Sequence, residues 1–293
     1  MATEAIPQPN TAGDLIAAAA DRIASSDAIE LWRPYMAKLE AETLLAEALG
    51  HAADAAEVVP AKVRVRFDAY IERRVAGEPA ALIVGHTTFR GLQLRTRRGV
   101  FVPRSSSESM AAMAIQRLRA RRAPVAVDVA TGSGPVALSV AAEVPKARVV
   151  GVDISPAALS LARDNAKRLR ITNATFVRSD VLTNLPGDLA GGVDVLTVHP
   201  PYVAREQLAD LPAEIREFEP EESLTDQSDD GLGLVRRLVE QAPDWLRRGG
   251  WVLVEVSPDL SRRVGGLLRR NAYRDVKSHR DSLGATRVVA GRR

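Results

Sequence analysis

Cysteine is absent from this 293-residue chain, which excludes disulfides, thiolate metal sites and a cysteine nucleophile. No apolar run reaches the roughly 18 residues that a membrane-spanning helix needs, and residues 1–10 lack the basic start and apolar core of a secretory signal. Aromatic residues make up only 4% of the chain, whereas hydrophobic residues make up 46% and charged residues 26%. This composition predicts a globular, well-cored protein, with a cytoplasmic location as the default expectation.

Lysine is scarce, so arginine supplies most of the 40 basic side chains, and the formal net charge is only +3. The basic cluster at 117–122 is expected to be the solvated end of a helix, where cations suit the negative end of the helix dipole. The charge therefore gives little reason to expect a nucleic-acid partner. No residues are assigned to a metal.

Four segments follow from composition and periodicity. Residues 1–10 are polar and proline-containing, and we expect a disordered tail. Residues 11–85 have helical spacing of apolar positions and predict a small helical domain. Residues 86–104 contain short β-like runs separated by glycines, which predicts a hairpin linker. Residues 105–293 alternate predicted strands with predicted helices.

This alternation predicts an α/β fold, a mainly parallel sheet with helices on both faces. The predicted strands cover 125–129, 147–152, 174–178, 193–198, 251–256, 273–279 and 285–290. The last two are joined by a connection too short for a parallel crossover, which needs about a dozen residues. We therefore expect the final strand to be antiparallel.

The segment His199-Pro200-Pro201-Tyr202 follows an apolar run that predicts a buried strand. Proline fixes φ and removes an N–H donor, so two prolines make a stiff turn whose carbonyls are free to accept hydrogen bonds. Tyr202 adds a flat wall. This combination suits a planar, nitrogen-bearing group held beside a reactive carbon.

Three earlier strand ends carry further signals. The turn after the first strand contains Gly132 and Gly134, which let the backbone approach a ligand, although such turns also serve simply to join a strand to a helix. Asp153 ends the next strand, and its carboxylate suits the hydroxyls of a ribose, since Ser155 is the better helix cap. Asp180 could accept from an adenine amine while Val181 donates through its backbone; the alternative is a surface loop.

The order of these signals favours a methyltransferase over a nicotinamide enzyme. Nicotinamide enzymes lack the proline-containing fourth element, and they usually carry a third glycine that is missing after Gly134. The candidate cofactor-binding residues are Asp128, Ala130, Thr131, Gly132, Gly134, Asp153, Ile154, Asp180, Val181 and His199. The candidate substrate contacts are Arg104, Glu108, Pro200, Pro201 and Tyr202. Catalysis is assigned to His199, Pro200 and Tyr202.

With these motifs, the chain resembles the protein-(glutamine-N5) methyltransferases of the PrmC/HemK type, which modify peptide-chain release factors. The resemblance covers nearly all of residues 11–293. The matching segments are 70–79, 89–92, 102–104, 128–138, 151–169, 211–220, 230–232, 281–284 and 287–292. It implies a seven-stranded, Rossmann-like, S-adenosylmethionine-dependent methyltransferase domain and a helical domain that helps to hold a protein substrate. The family's acceptor is the glutamine of a Gly-Gly-Gln motif.

This chain departs from the family pattern at several motif positions. His199 replaces the asparagine of Asn-Pro-Pro-Tyr, Ala130 replaces the first loop glycine, and Leu82 replaces a tyrosine. The family's Pro-Glu-Thr-Glu is here 105–108, which keeps only the last acid.

His199 leaves several functions open. Neutral imidazole has one acceptor and one donor, so it could orient an amide or act as a general base. The remaining alternative is that His199 has no role in the chemistry. The chain could be a divergent release-factor methyltransferase, or a relative retargeted to a nitrogen or oxygen of a small molecule or another protein. A catalytically inactive cofactor-binding paralogue and a nucleic-acid adenine methyltransferase are further alternatives.

Overall fold

A computed structural model describes residues 11–29, 35–281 and 284–293. The tail predicted for residues 1–10 lies outside the described residues. The chain divides into two compact units. Of the described residues, the first unit contains those up to Gly85 together with 211–218, and the second contains those in 86–210 and 219–293.

Within the described residues the α-helices are α1 Ala12–Ala24, α2 Tyr35–Leu49, α3 Ala61–Val75, α4 Ala80–Val84, α5 Ser107–Arg119, α6 Pro135–Glu143, α7 Pro156–Arg168, α8 Ala213–Phe218, α9 Gly233–Trp245 and α10 Ser261–Arg270. The strands are β1 His86–Phe89, β2 Leu92–Arg95, β3 Val125–Val129, β4 Arg148–Asp153, β5 Ala174–Arg178, β6 Val193–Val198, β7 Leu246–Glu255, β8 Arg274–Arg280 and β9 Thr286–Arg292. The 3₁₀ turns are Gly187–Leu189, Arg205–Asp210 and Glu221–Ser223.

The first unit is a helical bundle of α1 to α4 with α8. Helix α1 begins at Thr11, whose hydroxyl accepts a hydrogen bond from the Asp14 N–H, and its apolar face is buried. The buried guanidinium of Arg74 donates to Glu40 of α2 at 2.7 Å and to Glu214 of α8 at 2.9 Å. These charge-assisted bonds join α3 to a segment from much later in the chain, which the sequence analysis had assigned to the methyltransferase domain.

The second unit contains a seven-stranded sheet of order β5-β4-β3-β6-β7-β9-β8. Strands β3 to β7 pair in parallel, whereas β9 is antiparallel to both β7 and β8, as expected from the short final connection. Strand β7 begins at Leu246 rather than at 251, so Gly249 and Gly250 lie inside the strand. Strands β1 and β2 form the predicted hairpin.

Both faces of the sheet are buried by helices, as a parallel sheet requires. One face carries Val127 of β3 and Leu196 of β6 against α9 and α10. The other carries Ala126 and Val195, their neighbours along the same strands, against α5, α6 and α7. Because the strands are fixed by packing on both faces, their carboxyl ends form a defined edge.

Gly151 of β4 offers a test of this packing. A Cβ built there would meet the Phe176 ring at 2.7 Å and the Thr131 hydroxyl at 2.9 Å. We expect Gly151→Ala to lower the free energy of unfolding by about 1–3 kcal/mol, because overpacking forces side chains from their rotamers. Urea unfolding followed by circular dichroism measures this. Gly187→Ala, where an added Cβ meets nothing within 4 Å, is the matched control; equal midpoints for the two variants would contradict the prediction.

Candidate active site

A cavity of about 580 Å³ lies at the carboxyl ends of β3, β4, β5 and β6, within the second unit. Most of the residues predicted for the site line it: Arg104, Asp128, Ala130, Thr131, Gly132, Asp153, Ile154, Asp180, Val181, His199 and Pro201. Glu108, Gly134, Pro200 and Tyr202 do not line it. Parallel strands thus bring together side chains that are far apart in sequence, at the edge where such sheets usually bind ligands.

The loop between β3 and α6 presents its backbone to the cavity. Gly132 has φ +56°, and an added Cβ would point into open space. Ala130 has φ +53°, a left-handed conformation that is costly for a residue with a Cβ, and such strain is often found at functional sites. A Cβ added at Gly134 would instead meet Leu138 at 3.1 Å and the Phe176 ring at 3.3 Å, so this glycine faces the protein interior and does not line the cavity.

Asp128 of β3 holds this loop through hydrogen bonds. It is buried, and its two carboxylate oxygens accept hydrogen bonds from the Thr131 hydroxyl at 2.6 Å and the Thr197 hydroxyl at 2.7 Å. Burial raises the pKa of Asp128 to about 6, although the two threonine bonds oppose the shift. Both oxygens and the Thr131 hydroxyl are therefore engaged within the protein, and Asp128 fixes the loop on β6.

Asp153 holds the glycine loop from the side of β4. Its carboxylate accepts from the Gly132 N–H at 2.8 Å and the Ser155 N–H at 2.9 Å. Burial raises its pKa, partly offset by these backbone bonds. Ser155 caps α7, with proline at the first position of the helix. A carboxylate has about four lone-pair sites, so Asp153 keeps capacity for a further donor.

The residues after β5 lie beside a partner that the sequence analysis did not name. Asp180 pairs with Arg237 of α9 at 2.6 Å, and both side chains are half exposed. Arg237 also lines the cavity. The next residue, Val181, is buried at φ +52°. Ile154 is 54% exposed, and it lines the same cavity as Asp153 and Asp180.

The turn after β6 places His199 between two aromatic rings. The Tyr202 ring stacks on the imidazole at a centroid distance of 5.7 Å, and the Phe101 ring meets it edge-on, also at 5.7 Å. Tyr202 thus supports the imidazole instead of forming the cavity wall that we expected. Burial lowers the pKa of His199, with Glu255 opposing the shift and Arg104 and Arg287 adding to it, which favours neutral imidazole at neutral pH.

Two residues predicted to contact the substrate lie near the start of α5, and only Arg104, which precedes the helix, lines the cavity. Arg104 pairs with the buried Glu219 at 2.7 Å and lies over the Phe101 ring at 4.7 Å. Glu108, which we expected to contact the substrate, instead accepts a hydrogen bond from the Arg90 N–H at 2.9 Å and does not line the cavity. Its carboxylate secures the β-hairpin to α5.

Sequence reasoning missed Arg237, Glu219 and Glu255. A signal existed for Glu255, because it ends β7 and an acid at a parallel strand end is the pattern that identified Asp153. Arg237 and Glu219 lie on a helix and in a loop, where nothing in the sequence indicates what they face. No cluster of three histidine, cysteine or acidic residues among the described residues could hold a metal.

Comparison with known proteins first shows the class of protein to which this chain belongs. The Methyltransferase small domain model matches residues 91–215, and the PrmC N-terminal domain model matches residues 35–85. A methyltransferase from Pyrococcus furiosus has the same fold, with a TM-score of 0.52 and 19% identity over 77% of this chain and 96% of that chain. The protein is a methyltransferase with a Rossmann-like catalytic sheet.

Curated relatives then define the family. The release factor glutamine methyltransferase of Rhodopirellula baltica is 33% identical over 86% of this chain and 88% of its own length. That of Bordetella pertussis is 35% identical over 88% of this chain and 96% of its own length. This chain belongs to the release factor glutamine methyltransferase family, which confirms the resemblance found in its motifs. None of the helices in the described ranges is both long and apolar enough to cross a membrane.

The Asp128 carboxyl predicts a pH effect. Its folded pKa of about 6 lies above the unfolded value of about 3.9, so the folded protein binds the proton more tightly. The unfolding free energy should therefore fall as pH rises from 4 to 6, by up to about 3 kcal/mol from this group. Asp128→Asn removes the titration while leaving every other carboxylate in place.

Urea unfolding of wild type and Asp128→Asn at pH 4 and pH 7 gives the measurement. Relative to the variant, the wild type should lose stability between the two pH values. Parallel behaviour of the two proteins would contradict the shifted pKa.

Proposed function

We propose that this protein binds S-adenosylmethionine in the cavity and methylates the side-chain amide nitrogen of glutamine in a peptide-chain release factor. The observation that carries this proposal is that three features of the family line one cavity. They are the glycine loop at Gly132, the acid Asp153 at the end of β4, and the turn His199-Pro200-Pro201-Tyr202, which we call the proline ledge. Family membership supports the glutamine acceptor, and a release-factor substrate implies a cytoplasmic location. The helical unit is the proposed second contact with the protein substrate.

The residues present fit such a cofactor. The open space beside Gly132 lets a ligand approach the backbone. The remaining acceptor capacity of Asp153 suits a ribose hydroxyl, and Ile154 and Val181 supply apolar surface for a base between the acids. Asp180 is the proposed acceptor for the exocyclic amine, although it already pairs with Arg237. When bound, S-adenosylmethionine supplies a methyl group on an electrophilic sulfonium.

The proline ledge is the proposed binding place of the acceptor amide. A carboxamide nitrogen is a poor nucleophile because its lone pair is conjugated with the carbonyl. Hydrogen-bond acceptors at its two N–H groups orient the nitrogen and raise its electron density, and orientation by itself can lower a barrier by about 7–11 kcal/mol at the extreme. His199 and the Pro200 carbonyl are the proposed acceptors, and Pro201 lies on the cavity side of the same turn.

His199 also supports a second candidate acceptor. An imidazole suits a substrate that must lose a proton, such as an ammonium, a phenol or another imidazole. A small molecule or another protein could carry that group. This alternative rests on the histidine in the position where the family has asparagine.

We expect Asp153→Ala to weaken binding of S-adenosylhomocysteine by about tenfold to hundredfold, because a hydrogen bond to a charged group contributes about 1.5–3 kcal/mol. Calorimetry measures the affinity. Asp188→Ala, which removes an exposed carboxylate paired with Arg148, is the control. Since Asp153 also holds the glycine loop, a 2′-deoxy analogue gives a second measurement: wild type should discriminate against it and the variant should not. Equal discrimination would contradict the ribose assignment.

Methyl transfer to a purified release factor tests the function itself. Tritiated S-adenosylmethionine should label the release factor, and mass spectrometry should place the methyl group on the Gly-Gly-Gln glutamine. The same release factor with that glutamine replaced by glutamate is the control. Labelling of a different protein or of a metabolite in a lysate would favour the second candidate. Cofactor binding with no methylated product of any kind would indicate an inactive paralogue and contradict both candidates.

A further inference from the structure

A buried carboxylate, that of Glu255, lies behind His199. The side chain of Glu255, at the end of β7, is 2% exposed. One of its oxygens accepts a hydrogen bond from the Ser106 hydroxyl at 2.7 Å. The other, Oε2, is buried without a hydrogen-bond partner among the described residues and lies 3.9 Å from His199 Nδ1.

His199 Nδ1 has a second polar neighbour. The Ser107 hydroxyl oxygen lies 3.2 Å away, within hydrogen-bond distance. An ionised carboxylate can only accept, and a hydroxyl oxygen can accept as well as donate. A hydrogen on Nδ1 therefore satisfies both neighbours, whereas a bare Nδ1 would set its lone pair against the Glu255 carboxylate. The surroundings favour the tautomer that carries its proton on Nδ1.

We infer that Glu255 and Ser107 are positioning residues that keep the proton of neutral His199 on Nδ1, so that Nε2 presents its lone pair to the methyl acceptor. This inference rests on the proposed function for its catalytic meaning. It treats positions 106 and 199 as one adaptation: a serine in place of the family's glutamate and an imidazole in place of its asparagine meet around a single buried carboxylate, while Ser107 keeps the hydroxyl of the family's threonine.

Methylation of an amide nitrogen releases a proton, and the arrangement around His199 provides a group that can accept it. When a carboxamide nitrogen uses its electron pair to bond the incoming methyl carbon, the carbon–sulfur pair stays on sulfur and one N–H proton must leave. Nε2 of His199 takes this proton and becomes part of an imidazolium, which later releases it to water. The positive charge then forms beside the Glu255 carboxylate, which stabilises it in surroundings that otherwise disfavour charge.

The charged and titratable groups around the imidazole come from several elements. Glu255 on β7 raises the pKa of His199, whereas Arg104 before α5 and Arg287 on β9 lower it, and burial is the largest influence, also lowering it. Tyr202 stacks on the ring, and burial raises the pKa of its phenol, which keeps that group neutral. Glu255 is the one anion among the groups that shift this histidine.

Nuclear magnetic resonance of the full-length protein tests the inference without turnover. The four histidines allow the His199 signals to be assigned by their loss in His199→Asn. In the wild type, ¹⁵N shifts should show the proton on Nδ1. We expect Glu255→Gln to lower the pKa of His199 further, because the opposite charge 3.9 Å from Nδ1 is removed. Glu240→Gln, an exposed carboxylate on α9, is the matched control and should leave that pKa unchanged.

Kinetics with a release factor provide the second readout. Glu255→Gln should reduce kcat by about tenfold or more while KM for the release factor changes little. The acid limb of its pH profile should move to lower pH, because the base loses its proton at lower pH. Ser107→Ala should also reduce kcat, and Ser107→Thr, which keeps the hydroxyl, should restore it. A merely structural role would not move the pH limb.

The outcomes separate this inference from the proposed function. An unchanged His199 pKa in Glu255→Gln, or a wild-type proton on Nε2, overturns the positioning role whatever the activity. A shifted pKa with unchanged kcat overturns its catalytic meaning. A shifted pKa in a wild type that methylates no release factor keeps the positioning role and overturns the glutamine substrate.

Discussion

One buried carboxylate, that of Asp128, connects the parts of the candidate active site. Asp128 lies next to the last residue of β3 and accepts hydrogen bonds from Thr131 in the glycine loop and from Thr197 near the end of β6. Thr197 lies two residues before His199, so this carboxylate connects the loop that would carry the cofactor to the turn that would carry the acceptor. Burial disfavours the charged form of Asp128 and raises its pKa, and the two threonine hydrogen bonds offset part of that cost. The geometry of the site therefore depends on a group that contributes no atom to the proposed chemistry.

In the proline ledge, histidine replaces the family's asparagine at position 199, and this change requires different neighbours around the side chain. An asparagine could satisfy an amide with its own oxygen, but an imidazole offers a lone pair on one nitrogen only, and the tautomer decides which. Glu255 and Ser107 lie next to Nδ1 and favour a proton there. Phe101 and Tyr202 fix the ring plane. The position thus gives the imidazole a defined orientation, and burial favours its neutral form.

Much of the fold could be predicted from the sequence because its signals are local. Apolar runs, helix caps and glycine turns placed the strands, and the short link before β9 predicted its antiparallel pairing. The candidate cavity could be predicted because the carboxyl ends of parallel strands must meet at one edge. The contacts of individual residues could not be predicted: the Glu108 carboxylate accepts a hydrogen bond from the Arg90 N–H, Leu138 fills the space beside Gly134, and the Tyr202 ring stacks on His199.

By itself, the sequence determined the class of this protein, since the order of strand-end residues and its family motifs are written along the chain. Only the tertiary structure decided which charges meet. Arg237 joins Asp180 across from α9, Glu219 joins Arg104, and Glu255 lies behind His199. The physical reason is that electrostatic interactions depend on distance and burial in three dimensions, and residues far apart in sequence acquire both only when the sheet and its helices have packed.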